Sequence, residues 1–73
     1  MVKVTDTSKT VKNTKTMKAT VSLFADSKTD LDGITESDIV EFPRGYEIDW
    51  GSSVMTADGE VGFLKSDGTW NWL

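Results

Sequence analysis

The sequence predicts an all-β fold: a small antiparallel meander or half-barrel of about four strands, preceded by an extended basic N-terminal arm. Three observations lead there. Tyr46-Glu47-Ile48-Asp49-Trp50 alternates apolar with acidic residues, and Glu60-Val61-Gly62-Phe63 and Thr69-Trp70-Asn71-Trp72 keep the same period of two. Side chains two apart share one face of a strand, so these runs are expected to lay their apolar residues on one sheet face. Asp58-Gly59 and Asp67-Gly68 separate the runs, and an Asp-Gly pair supplies the positive φ that tight hairpins require. The first twenty residues differ from all of this, being rich in threonine and lysine.

Residues 1–16 form the expected arm. Thr5, Thr7, Thr10, Thr14 and Thr16 favour extended backbone, while the run lacks the apolar content to fold by itself. It is expected to be disordered in isolation and extended when bound. Removing residues 2–16 is then expected to leave the meander folded. Val2 and Val4 alternate, but Met17, Ala19, Val21 and Leu23 make the better strand, so the β domain is placed at 17–73. Asp26 to Gly33 is polar and reads as a loop. Thr35-Glu36-Ser37-Asp38 opens at most one helical turn, with Thr35 as cap and Asp38 as its partner three residues on. Pro43 ends any helix by Phe42, because the residue before proline is pushed towards extended geometry. Pro43-Arg44-Gly45 then leads into a meander of four strands at 46–50, 53–57, 60–65 and 69–73.

Length and composition narrow the function classes. Seventy-three residues allow one small domain. There is no cysteine to form a disulfide and no histidine, so thiolate and imidazole metal sites are both unavailable, and no cofactor or metal is expected. The remaining stabiliser for so short a chain is a partner, and an oligomer or a piece of a larger assembly is expected. Catalysis through Ser-His, Cys-His or a histidine base is equally unavailable, and no carboxylate, lysine, serine or tyrosine is spaced like a catalytic pair. An enzyme is not expected. Residues 1–16 contain no apolar core of a signal peptide, and no run is long and apolar enough to span a membrane, so a soluble protein made inside a cell is expected.

The net charge of −4 conceals an asymmetry. Residues 1–20 carry Lys3, Lys9, Lys12, Lys15 and Lys18 against Asp6 alone, a balance of +4. Residues 21–73 carry three basic side chains against eleven carboxylates, a balance of −8. Such a distribution suits two surfaces with different partners, or one surface meeting its complement on a neighbouring copy.

The candidate site residues are the aromatics Tyr46, Trp50, Phe63, Trp70 and Trp72. Flat aromatic faces stack on sugar rings or bases, but large aromatics also build sheet cores and subunit seams, and the core or interface reading is preferred. The five lysines of the arm are the second candidate group. They suit phosphate or an acidic protein surface; with no arginine and no interleaved aromatic among them, a specific nucleic-acid reader is not favoured. Asp26, Asp30, Asp32 and Gly33 share the composition of a calcium loop without its alternating ligand spacing or closing glutamate, and read as a solvated acidic loop. Arg44, in a Pro-Gly loop, reads as a solubility residue.

The stretch Ser53-Val-Met-Thr-Ala-Asp-Gly-Glu-Val-Gly-Phe-Leu-Lys-Ser-Asp-Gly-Thr-Trp-Asn-Trp72 resembles the C-terminal ends of small structural proteins of tailed bacteriophages. In those, a short β-meander with the same Thr-Ala-Asp-Gly and Ser-Asp-Gly turns follows a glycine-rich bend, and Phe42-Pro43-Arg44-Gly45-Tyr46 is similar to their lead-in. The resemblance covers about 30 of the 73 residues and does not include the arm. It implies a non-enzymatic virion protein: a capsid decoration, a head-fibre base or another head or tail accessory. Its partners would be copies of itself or a major shell protein. The rivals from other classes are a carbohydrate-binding module with a tryptophan platform and a nucleic-acid accessory protein acting through the lysines.

Overall fold

Strand-favouring residues dominate both ends of the chain, and the fold joins the two ends in one sheet. The computed structural model describes residues 1–12 and 17–73, with residues 8–12 described by their backbone alone. Seven strands occur among the described residues: β1 (Val2–Lys12), β2 (Met17–Ala25), β3 (Ile39–Val40), β4 (Glu47–Ile48), β5 (Ser53–Thr56), β6 (Val61–Leu64) and β7 (Trp70–Trp72). The fold is all-β, with two short 3-10 turns at Lys28–Leu31 and Glu36–Asp38 among the described residues. Strand order across the mixed sheet is β3-β1-β2-β5-β6-β7, and β4 also pairs with β2.

The N-terminal segment departs from the expected arm. Residues 2–12 are strand β1, antiparallel to β2, with Val2 opposite Ala25 and Lys12 opposite Met17. Val2 and Val4 are buried in the core beside Leu23 and Ala25. Two valines looked too few to fold alone. They suffice because β2 supplies the rest of the apolar face and the ladder that satisfies their backbone. The expected division between residues 16 and 17 therefore separates two paired strands; residues 13–16 lie outside the described residues. Register shifts around Thr5 and Ser8 twist the hairpin, and the Thr5 hydroxyl donates to the Ser22 carbonyl at 3.1 Å.

The C-terminal part forms a meander of three strands rather than four. β5, β6 and β7 are successive antiparallel neighbours. β4 instead runs parallel to β2, with Lys18 opposite Glu47 and Ala19 opposite Ile48. β5 lies further along the same edge, Ser22 to Ala25 facing Ser53 to Thr56. Residues 47–56 thus track one edge of β2, interrupted by an excursion over 49–52. Ser52, fully buried, closes the gap this leaves: its Oγ accepts the Val21 N–H at 3.0 Å and donates to the Asp49 carbonyl at 2.8 Å. A side-chain hydroxyl replaces a missing rung of the ladder, sparing a buried amide the cost of going unpaired.

Both hairpin loops are three residues long and share one geometry. The Gly59 N–H bonds to the Thr56 carbonyl and the Gly68 N–H to the Lys65 carbonyl, each at 3.0 Å. Gly59 and Gly68 have φ of 88° and 86°, while neither Asp58 nor Asp67 has positive φ. These are type I turns closed by a glycine bulge. The primed two-residue turns implied by the Asp-Gly pairs would need positive φ at both central residues.

The core lies on one sheet face. Val4, Leu23, Val54, Gly62 and Trp72 form a continuous cross-strand row, and Ile39, Val2, Ala25 and Thr56 form the next. Gly62 is required by close packing: a Cβ there would lie 2.8 Å from the Trp72 ring. Segment 26–46 crosses this face and inserts Leu31 and Ile39, both buried, with Ile34 and Phe42 half-buried beside them. The loop expected at 26–33 therefore contributes to the core. The single turn expected after Thr35 is the second 3-10 turn, with the Asp38 carboxylate accepting the Thr35 N–H at 3.2 Å.

Candidate functional site

The register decides which aromatics share a surface. Phe63 stands opposite Asn71, whereas Trp70 stands opposite Leu64 and Trp72 opposite Gly62. Phe63 and the two C-terminal tryptophans consequently occupy opposite faces of the sheet. Trp70 and Trp72 are half-buried against the core, as are Tyr46 and Ile48. Trp50 lies in the 49–52 excursion, 64% exposed. The five candidate aromatics do not form one platform.

Two surfaces emerge in its place. The first is the face of the sheet turned away from segment 26–46. There Lys3, Phe24, Met55 and Val61 form one cross-strand row, and Ser22, Ser53, Phe63 and Asn71 the next. Met55 is 53% exposed, and Val61 and Phe63 are exposed beside the half-buried Phe24. A shallow groove bounded by Thr5, Ser22, Phe24, Ser53, Met55 and Val61 runs across them. Sequence reasoning found Phe63 but missed Phe24 and Met55. Their signal was the alternation within β2 and β5, where the positions between core residues ought to have been polar.

The second surface is a cleft of about 480 Å³ on the core side, between segment 28–36 and β7. Trp70 and Trp72 wall it, with Leu31, Ile34, Ile48 and Leu64 lower down and Lys28, Asp32, Glu36 and Thr69 contributing polar groups. The covering segment is too short to span the whole sheet and leaves this end open. The Lys28 ammonium lies 5.1 Å from the centroid of a Trp72 ring, within cation–π range, and 3.5 Å from the Glu60 carboxylate. Glu36 accepts the Ile48 N–H at 3.0 Å through one carboxylate oxygen.

The remaining candidates fall elsewhere. Lys3, Lys9 and Lys12 lie in β1 and Lys18 in β2, along a hairpin rather than a separate arm; Lys15 is outside the described residues. Asp26 and Asp30 both turn to the Met1 ammonium, at 2.9 and 2.7 Å. The hydrogen bond that the ammonium donates to Asp30 is the largest cause of its raised pKa, and the same bond lowers the pKa of Asp30. Asp58 and Asp67 are held below the ordinary aspartate value first of all by hydrogen bonds from the Thr56 and Thr69 hydroxyls. Arg44 is exposed. Among the described residues no group of three or more acidic side chains is arranged to hold a metal ion, and no helix is long and apolar enough to cross a membrane.

No family model matches the chain, nor does any curated protein or solved structure.

Proposed function

We propose that this chain is a non-enzymatic structural protein of a tailed-phage particle, made in the host cytoplasm and seated in the virion through the open face of its sheet. The observation that carries this reading is the row of Phe24, Met55 and Val61 with Phe63 beside it, exposed or half-exposed on a face that none of the described residues covers. An antiparallel sheet solvated on one side normally alternates apolar-in with polar-out. Here Met55, Val61 and Phe63, three of the four outward positions on β5 and β6, are apolar too, the composition of a surface that meets another protein. The neighbour is a second copy or a major shell protein. Complementary charge between the lysine-bearing hairpin and the acidic remainder would orient the contact. The likeness of residues 42–72 to phage structural proteins supports the particle, and the want of histidine and cysteine supports a role without catalysis.

The test is mass and partition. Light scattering should give a species heavier than the 8.1 kDa monomer, or the protein should co-sediment with phage shells. The double substitution Met55→Asp, Phe63→Asp should abolish whichever is seen and leave the β signal in circular dichroism intact. A chain that stays monomeric at high concentration and does not join shells overturns the reading.

A further inference from the structure

We propose that the cleft between segment 28–36 and β7 is a binding site for a neutral oligosaccharide. The site is on the core side of the sheet, opposite the open face, so it does not depend on the assembly reading. The volume of about 480 Å³ falls within the usual range for small-ligand sites and accommodates two or three sugar rings. Its composition combines aromatic faces with polar groups at the rim. Trp70 and Trp72 are half-buried, their rings seated on the sheet but still open to the cleft. The C–H faces of a pyranose stack on such rings, and its hydroxyls need acceptors and donors at the edges.

Those groups are present. Glu36 is anchored through one oxygen by the Ile48 N–H, which fixes its orientation and leaves the other oxygen as an acceptor. Asp32 lines the same wall, and its carboxylate makes no hydrogen bond or ion pair among the described residues. Lys28 is held over Trp72 and supplies N–H donors; Thr69 adds a hydroxyl. Charge selects against other ligands of similar shape. Residues 21–73 carry a balance of −8, which disfavours the phosphates of a nucleotide. A quaternary ammonium would compete with Lys28, already the cation on Trp72. A neutral polyhydroxylated ring meets neither objection. Trp70, which has no cation over it among the described residues, is assigned as the stacking platform and Glu36 as the principal acceptor.

The experiment is a titration of the full chain with cellotriose, maltotriose, chitotriose and xylotriose, followed by tryptophan fluorescence and by the indole N–H signals in heteronuclear NMR. At least one trisaccharide should bind saturably at millimolar concentration or below and shift the Trp70 and Trp72 indoles but not that of Trp50. Trp70→Ala should weaken binding by about tenfold or more, and Glu36→Gln should weaken it with the melting temperature retained. Trp50→Ala should leave affinity unchanged. If none of the four sugars shifts the cleft indoles, or if adenosine monophosphate binds there and the sugars do not, the proposal fails. Because Met55→Asp, Phe63→Asp lies on the other face, loss of assembly with sugar binding retained separates this site from the assembly surface.

Discussion

Ser52 shows how much of this fold depends on single polar atoms. Its hydroxyl is the partner of the Val21 amide, which the 49–52 excursion removes from the β2–β5 ladder. Ser52→Ala leaves a buried N–H unpaired and should lower stability by about 1–3 kcal/mol, read as a shift of the urea midpoint. Ser52→Thr is expected to be a poor rescue, because it adds a methyl to a fully buried site. Gly62 makes the opposite demand, for absence rather than presence. A methyl at that position meets the Trp72 ring at 2.8 Å and the Asn71 carbonyl at 2.9 Å. Gly62→Ala should therefore cost about 1–3 kcal/mol by overpacking and change the near-ultraviolet signal of Trp72. An unchanged melt in either variant would remove the role assigned to that residue. Neither role was legible in the sequence. A serine after a glycine reads as a bend, and the ring that rests on Gly62 comes from a strand whose register no local pattern specifies.

At the scale of elements, the turns were half legible. Asp-Gly located both hairpins and the glycine φ, but not the type I turn with a glycine bulge, because that choice depends on pairing across the loop. The aspartates within these turns carry a pH signature. The Thr69 hydroxyl and N–H bond to Asp67, and the Thr56 hydroxyl bonds to Asp58, so both carboxyls titrate lower in the folded chain than the ordinary 3.8. A depressed folded pKa contributes stability that is fully present above 3.8 and is lost as pH falls through the lower folded values. Stability of the native chain should fall in that acid window, and Asp58→Asn, Asp67→Asn should fall less steeply there. Identical acid limbs in the two proteins would show that these bonds do not persist in solution. The β1 segment was misread for a different reason. Its threonines correctly implied extended backbone, but the apolar content of a strand cannot be judged without the neighbour that shares its core. Deleting residues 2–12 removes Val2 and Val4 and uncovers the β2 edge. The expectation of a surviving meander is thus reversed: the truncated chain should lose its cooperative melt and its tryptophan near-ultraviolet signal. Retention of both would restore the segment as a separable arm.

For the molecule as a whole, the decisive fact is how little one chain can enclose. Among the described residues the fully buried side chains are small, Val21 and Val54 being the largest, and none of the seven aromatics is fully buried. Composition anticipated this: three tryptophans, a tyrosine and three phenylalanines exceed what so short a chain can cover. It could not assign them, because a one-residue change of register moves every side chain of a strand to the other face. With the register known, the aromatics divide into those completing the monomer and those facing outward, and the two sets respond differently to truncation. Trp72 lies on Gly62 in the row that continues Val54 and Leu23, so Trp72→Ala should destabilise the monomer itself, by about 2 kcal/mol for a half-buried ring. Phe63 is 39% exposed on the open face and lies outside the core cluster. Phe63→Asp should leave the melting temperature within a few degrees of native and lower the association constant by well over tenfold. Melting followed at several concentrations separates the two effects, because only a variant impaired in association loses the rise of melting temperature with concentration. Were Trp72→Ala to abolish association at unchanged monomer stability, the seam would lie on the β7 side and the open face would be a surface without a partner.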